Sequence, residues 1–157
     1  MKKIKFSLLF LSLLFVCKLS FTQQVICYPT SHPYECDVLK RIVSQYVCDS
    51  NVVVLYNGTE LLQHPVQGIT NQYSDTLYQI SLSYYLEDYS SRIWTLCHEA
   101  GHLIDMVNGD LSTYPDYCWK GESVNNDTPY YLRPWEQSAE DWASILFFSI
   151  VIETLDE

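Results

Sequence analysis

The stretch WTLCHEAGHLID, residues 94–105, limits what this 157-residue chain can fold into more than any other part of it. His98 and His102 stand four positions apart, with Glu99 directly after the first. On an α-helix, residues at that spacing share a face, with Cβ atoms about 5–6 Å apart. Both imidazoles can then turn a ring nitrogen toward one metal ion. Glu99 is rotated by about 100° from His98. That sets it beside such an ion rather than on it, where a carboxylate can serve as general base to a water molecule. The pattern predicts a helix from about Ser91 to Val107, capped by Ser90 or Ser91 and ended by Asn108-Gly109. Gly101, inside that helix, costs about 1 kcal/mol relative to alanine, so close approach by another backbone or by the C-terminal helix is the expected reason for it.

A catalytic zinc site uses three protein ligands and keeps one position open, so a third ligand has to come from elsewhere. RPWEQSAEDWA, residues 133–143, places Glu136 and Glu140 four apart on one helical face. An acidic face of this kind is usually just solvated; here Trp135, Ala139 and Trp142 beside it predict a partly buried helix. One carboxylate can bind the metal while the other orients His98 through its remaining N–H. Asp105 is a competing third ligand, three positions after His102 on the same face. Its short side chain can instead form a salt bridge, or hydrogen-bond across to the C-terminal helix. Tyr130 and Tyr131 precede Glu136, and either can donate an O–H to a developing oxyanion, with Tyr131 as the candidate. Packing is the commoner role for a tyrosine in a chain that has thirteen. His32 and His64 each precede a proline in a loop and read as surface residues.

The ends and the charge set the compartment. Met-Lys-Lys-Ile-Lys followed by an eleven-residue apolar run, Phe6 to Val16, describes a signal peptide over residues 1–22. The run is too short for a membrane span, which needs about 20 residues. Ser20-Phe21-Thr22 is the expected cleavage site, and Val16 before Cys17 argues against lipid attachment there. Residues 23–157 then form one domain, exported to the periplasm or secreted, with no stable membrane anchor and a monomer as the expected state. Four of the nine basic residues fall in the first 22, leaving five against nineteen acidic, a net charge of −14. Such a surface repels phosphate backbones, so nucleic acid is a poor partner.

Five cysteines remain: Cys27, Cys36, Cys48, Cys97 and Cys118. An oxidising compartment predicts disulfides. Cys36 and Cys48 bracket a helix from about Glu35 to Val47 and would lie about 18 Å apart, beyond disulfide reach. The expected pairs are Cys27 with Cys36 and Cys48 with Cys118, leaving Cys97 as a core residue. NVVVLYNGTE reads as a strand ended by an Asn57-Gly58 turn, and Thr76–Leu86 as a second strand. Asp110–Tyr131 reads as a loop over the site, and Asn57 and Asn126 head glycosylation acceptor motifs. A last helix starts at Pro134, and its stretch Ile145–Ile152, apolar on all sides, is expected to be buried.

RIWTLCHEAGHLID, with RPWEQSAEDWA placing Glu136 34 residues after His102, resembles the small gluzincin peptidases. The likeness is greatest to the ImmA/IrrE-type metallopeptidase domain, with parts shared by SprT-like and anthrax-lethal-factor-like domains. It covers about residues 76–148. The resemblance implies a small zincin-like α+β domain, with a short mixed sheet whose edge strand lies beside the active-site helix. It implies Zn²⁺ held by His98, His102 and Glu136, and Glu140 in the role of the Asp that bonds the first histidine. The longer Glu is a departure from that pattern and leaves the two glutamates open to exchange. A peptide substrate is implied to pair by strand addition with an edge strand, here Thr76–Leu86. An export signal departs from those largely cytoplasmic regulators, so their biological role does not carry over. The resulting expectation is an exported zinc metalloendopeptidase. The alternative is a zinc-stabilised, catalytically silent binding or toxin-like module; intact Glu99 speaks against it, since binding alone needs no base.

Overall fold

The computed structural model describes residues 23–155, apart from 30, 50, 115 and 126, and the side chains only as far as residue 150. The signal peptide expected at residues 1–22, the acceptor motif expected at Asn126 and the side chain of Ile152 thus lie outside the described residues. No helix among the described residues is long and apolar enough to cross a membrane.

The described residues form an α+β domain with three helices and a mixed four-stranded sheet. Strand β1 (Gln24–Cys27) leads to helix α1 (Pro33–Tyr46), strands β2 (Val53–Glu60), β3 (Gly68–Ser74) and β4 (Leu77–Ser83), and helix α2 (Tyr89–Asn108). The sheet order is β1-β2-β4-β3; β1, β2 and β4 run parallel, and β3 is antiparallel to β4. Three short strands, β5 (Leu111–Ser112), β6 (Cys118–Trp119) and β7 (Glu122–Ser123), form a second antiparallel sheet, and a 3₁₀ turn at Tyr130–Leu132 precedes helix α3 (Pro134–Leu155).

The alternation in β4 has a clear physical role: Tyr78, Ile80 and Leu82 face the core and are fully buried. Its position corrects one expectation. β4 is interior, hydrogen-bonded on both sides, and the edge strands are β1 and β3, of which β3 packs against α2. A second correction concerns Asn57-Gly58, which lies within β2 and makes no turn. Glycine is needed there for closeness: a Cβ on Gly58 would come within 2.7 Å of Glu35 Oε2 and 2.9 Å of the Tyr56 hydroxyl. Those two atoms belong to a buried network in which Arg92 pairs with Glu35 and donates to the carbonyls of Gly58 and Leu86. Tyr56 donates to the same carboxylate, and burial, reinforced by that carboxylate, holds the phenol pKa far above its usual value. The first turn of α2 is thereby tied to α1 and β2.

Helix α2 starts two residues earlier than the serines predict. Asp88 caps it, accepting from the backbone N–H of Ser90 and Ser91 at 3.3 and 2.7 Å. It ends at Gly109, whose φ of 81° is the left-handed conformation of a helix C-terminus. From Thr95 to Met106 the helix is buried throughout, between the sheet and α3. At Gly101 a Cβ would stand 2.8 Å from Trp142 Cβ and 3.1 Å from Ala139 Cα, so the two helices meet backbone to backbone.

In α3, Trp135, Ala139, Ala143, Leu146 and Ile150 form the buried stripe. Ile145 and Phe148 are exposed, which corrects the expectation of burial on all sides: α3 packs along one flank only. Cys27 and Cys36 form a disulfide with a Cα–Cα distance of 6.2 Å. Cys48 and Cys118 are not paired: Cys48 lies exposed past the end of α1, while Cys118 is built into β6. Cys97 is fully buried, and burial pushes its thiol pKa up to about 12, as suits an inert core residue.

Gly101→Ala should therefore reverse the usual propensity gain. Overpacking costs typically about 1–3 kcal/mol, and a net loss of stability in denaturant unfolding is the expected result.

Candidate metal centre

Helix α2 presents His98 and His102 from one face, their rings 4.8 Å apart between centroids and nearly perpendicular. Helix α3 crosses against that face and brings in Glu136 from its first turn. Glu136 Oε2 lies 3.3 Å from Nε2 of both histidines. One donor atom from each of the three side chains falls within 4.8 Å of the others, so the group can hold a metal ion. All three are largely withdrawn from water, with side-chain exposures of 10–12 %.

The surrounding polar groups orient the cluster. Glu140, one turn beyond Glu136, approaches Nδ1 of His98 at 3.5 Å. Asp105 stays outside the cluster. It is buried, and its Oδ1 accepts from Nε1 of Trp142 on α3 at 3.0 Å. Nδ1 of His102 and Oδ2 of Asp105 have no hydrogen-bond partner among the described residues. Tyr130 is the tyrosine at the site, its hydroxyl 3.4 Å from His98 Nε2. Tyr131, the candidate from sequence, is the more exposed of the two at 72 % and does not line the cleft; in a 3₁₀ turn the neighbouring side chain points elsewhere. His32 and His64 are at the surface.

The electrostatics favour a cation. Burial alone pulls the His98 pKa down, but the carboxylates of Glu136, Glu99 and Glu140 outweigh it and the net direction is upward. Burial raises the Glu136 pKa, yet hydrogen bonds from His102 and His98 carry it well below the ordinary carboxylate range. Glu99 moves the other way: it is buried, and desolvation raises its pKa. Its Oε2 accepts from the Thr70 hydroxyl at 2.8 Å. Beside it, a Cβ on Gly68 would come within 2.7 Å of both Cγ and Oε1 of Glu99.

These residues line a cleft of about 490 Å³. One wall is β3 and the loop before it, with Val66, Gly68, Ile69 and Thr70. The other carries Tyr117 and Tyr130, from the segment that the sequence predicts as a loop over the site, and Arg133 just beyond it. Thr70, Gly68 and Arg133 are absent from the sequence-based candidates. The first two sit in GITNQYS, a strand whose polar residues fall on both faces and hide its period; a glycine and a threonine two apart were the only available signal. No protein-family model, curated protein or solved structure matches this chain.

Metal titration by calorimetry should grade the three carboxylates. Glu140→Gln should weaken divalent-metal affinity by about 10–100-fold, as loss of a ligand-orienting partner does. Glu136→Ala, which removes a ligand, should cost more than that, and Asp141→Asn, on the outer side of the same helix, should leave affinity unchanged.

Proposed function

We propose that the protein is an exported, zinc-dependent metallopeptidase of gluzincin type, in which Glu99 is the general base. The observation that carries the reading is the convergence of His98, His102 and Glu136 with the Glu99 carboxylate buried alongside. Zinc fits the donor set of two imidazoles and a carboxylate. Metal–ligand bonds of about 2.0–2.1 Å in a tetrahedron put neighbouring donors about 3.3 Å apart. Both histidine-to-Glu136 separations have that value, 3.3 Å. It is at the long limit for an N–H···O hydrogen bond, and it suits a cation shared by the three donors.

A bound zinc ion would lower the pKa of a water molecule toward about 7 and polarise a substrate carbonyl. The protein's own groups do the rest. Glu99 takes a proton from the attacking water and later gives it to the departing amine nitrogen. Its burial raises the carboxylate's proton affinity, which suits a group that must hold a proton between the two steps. Tyr130 stands beside His98 with its phenol kept protonated by burial and by Glu136, as a donor to the developing oxyanion needs to be. The free edge of β3 runs along the cleft, so an extended peptide can add to it as a further strand. The Cys27–Cys36 disulfide suits a protein that works outside the reducing cytosol.

The test is to incubate the zinc-loaded protein with a mixed peptide library and read fragments by mass spectrometry, beside a Glu99→Gln variant. Cleavage by the native protein that disappears in the variant, with zinc content equal in both, is the expected result. Zinc bound by both and cleavage by neither would reject the peptidase in favour of a metal-stabilised binding module.

A further inference from the structure

We propose that Thr70, on the edge strand β3, is a positioning residue that holds Glu99 for both of its proton transfers. The inference rests on the peptidase reading above and adds a residue to it. Thr70 Oγ1 lies 2.8 Å from Glu99 Oε2 and 2.9 Å from the backbone carbonyl oxygen of the same residue. A β-branched side chain on a strand has few rotamers open to it, so the hydroxyl oxygen is fixed between these two acceptors and only its hydrogen turns. Gly68 is two residues away on the same face of β3, where a side chain would collide with Glu99 Cγ and Oε1. This face of the strand therefore offers the base one hydroxyl and one gap.

The two distances are nearly equal, and a single hydroxyl hydrogen can serve one acceptor at a time. While Glu99 is charged, the hydrogen points to Oε2, the better acceptor, and satisfies an oxygen that burial would otherwise leave without a partner. Oε1 is then the oxygen that receives the proton of water, as the water oxygen bonds to the substrate carbonyl carbon. Once the carboxyl is neutral, the hydrogen can turn to the Glu99 carbonyl, and no hydrogen bond is lost overall. When the carbon–nitrogen bond breaks, the proton passes from Oε1 to the amine, the carboxylate regains its charge, and the hydroxyl turns back. Thr70 thus follows the charge of the base without moving a heavy atom, and acts through Glu99 rather than on the metal ligands.

Thr70→Val, close in shape but lacking the hydroxyl, and Thr70→Ser, which keeps it, test this in the zinc-loaded protein. A hydrogen bond to a charged group is worth on the order of a tenfold or greater change in rate. The expected result is that kcat falls by about that factor in the valine variant, while KM and zinc content stay at wild-type values and serine restores most of the rate. Wild-type kcat in the valine variant would overturn the inference. So would a loss that comes with raised KM or missing zinc, or one that serine does not restore, because each marks a merely structural role. Failure of the native protein to cleave any peptide is a separate outcome, which removes the peptidase reading and this inference with it.

Discussion

The candidate site exists because two helices meet with almost nothing between them. Gly101 immediately precedes His102, and Ala139 immediately precedes Glu140. At that point the α3 backbone comes so near α2 that no Cβ fits on residue 101. Glutamate is a short ligand to send across a helix interface, and Glu136 reaches both histidines only from this separation. Protein interiors pack at crystal-like density and do not absorb an added methyl group without movement. The small residues therefore set the distance, and the ligand spacing follows. Trp142 reinforces the contact from α3, packing over Gly101 while its indole N–H is held by Asp105.

The other side of α2 is held by different means. Arg92 and Glu35 form a buried ion pair, with Tyr56 and the carbonyls of Gly58 and Leu86 completing its hydrogen bonds. A buried pair often adds little net stability because its desolvation is costly. What this one does supply is position, since its geometry is met only when α1, β2 and the first turn of α2 are in place together. That placement sets α2 over the sheet so that Glu99 faces β3. One helix is thus pinned by charge at its start and by close packing at its centre, and His98 and Glu99 lie between those points.

Much of this was legible in the residues themselves. The four-residue spacings of His98 with His102 and of Glu136 with Glu140 have meaning only on helices, and the two helices lie where those spacings require. Gly101 announced a close neighbour, and Cys27 with Cys36 lay within easy reach of one another. The sheet was harder to read. β4 has a strong period because it is central, and the same property misled: a conspicuous strand is a buried one, so the edge had to be a strand with a fainter pattern. β3 is that strand, and with it went Thr70 and Gly68. Asn57-Gly58 failed for a related reason, since a glycine demanded by crowding looks the same in sequence as one demanded by a turn. Cys48 and Cys118 could not be separated from a real pair without knowing that the second small sheet holds Cys118 elsewhere.

The ligands of the metal-type cluster lie on two helices joined by the segment from residue 109 to 133, which contains the small sheet and the 3₁₀ turn. An ion gripped by His102 and Glu136 would close a loop of 34 residues, much as a covalent bridge does, but reversibly. Closing a loop of that size removes several kcal/mol of chain entropy from the unfolded state, about 3–4 by the estimate used for disulfides. The metal would then be a fastener. A chain that lost it would loosen the segment that walls the cleft and expose that segment to proteolysis. Supply of the ion would thereby set how long the protein survives.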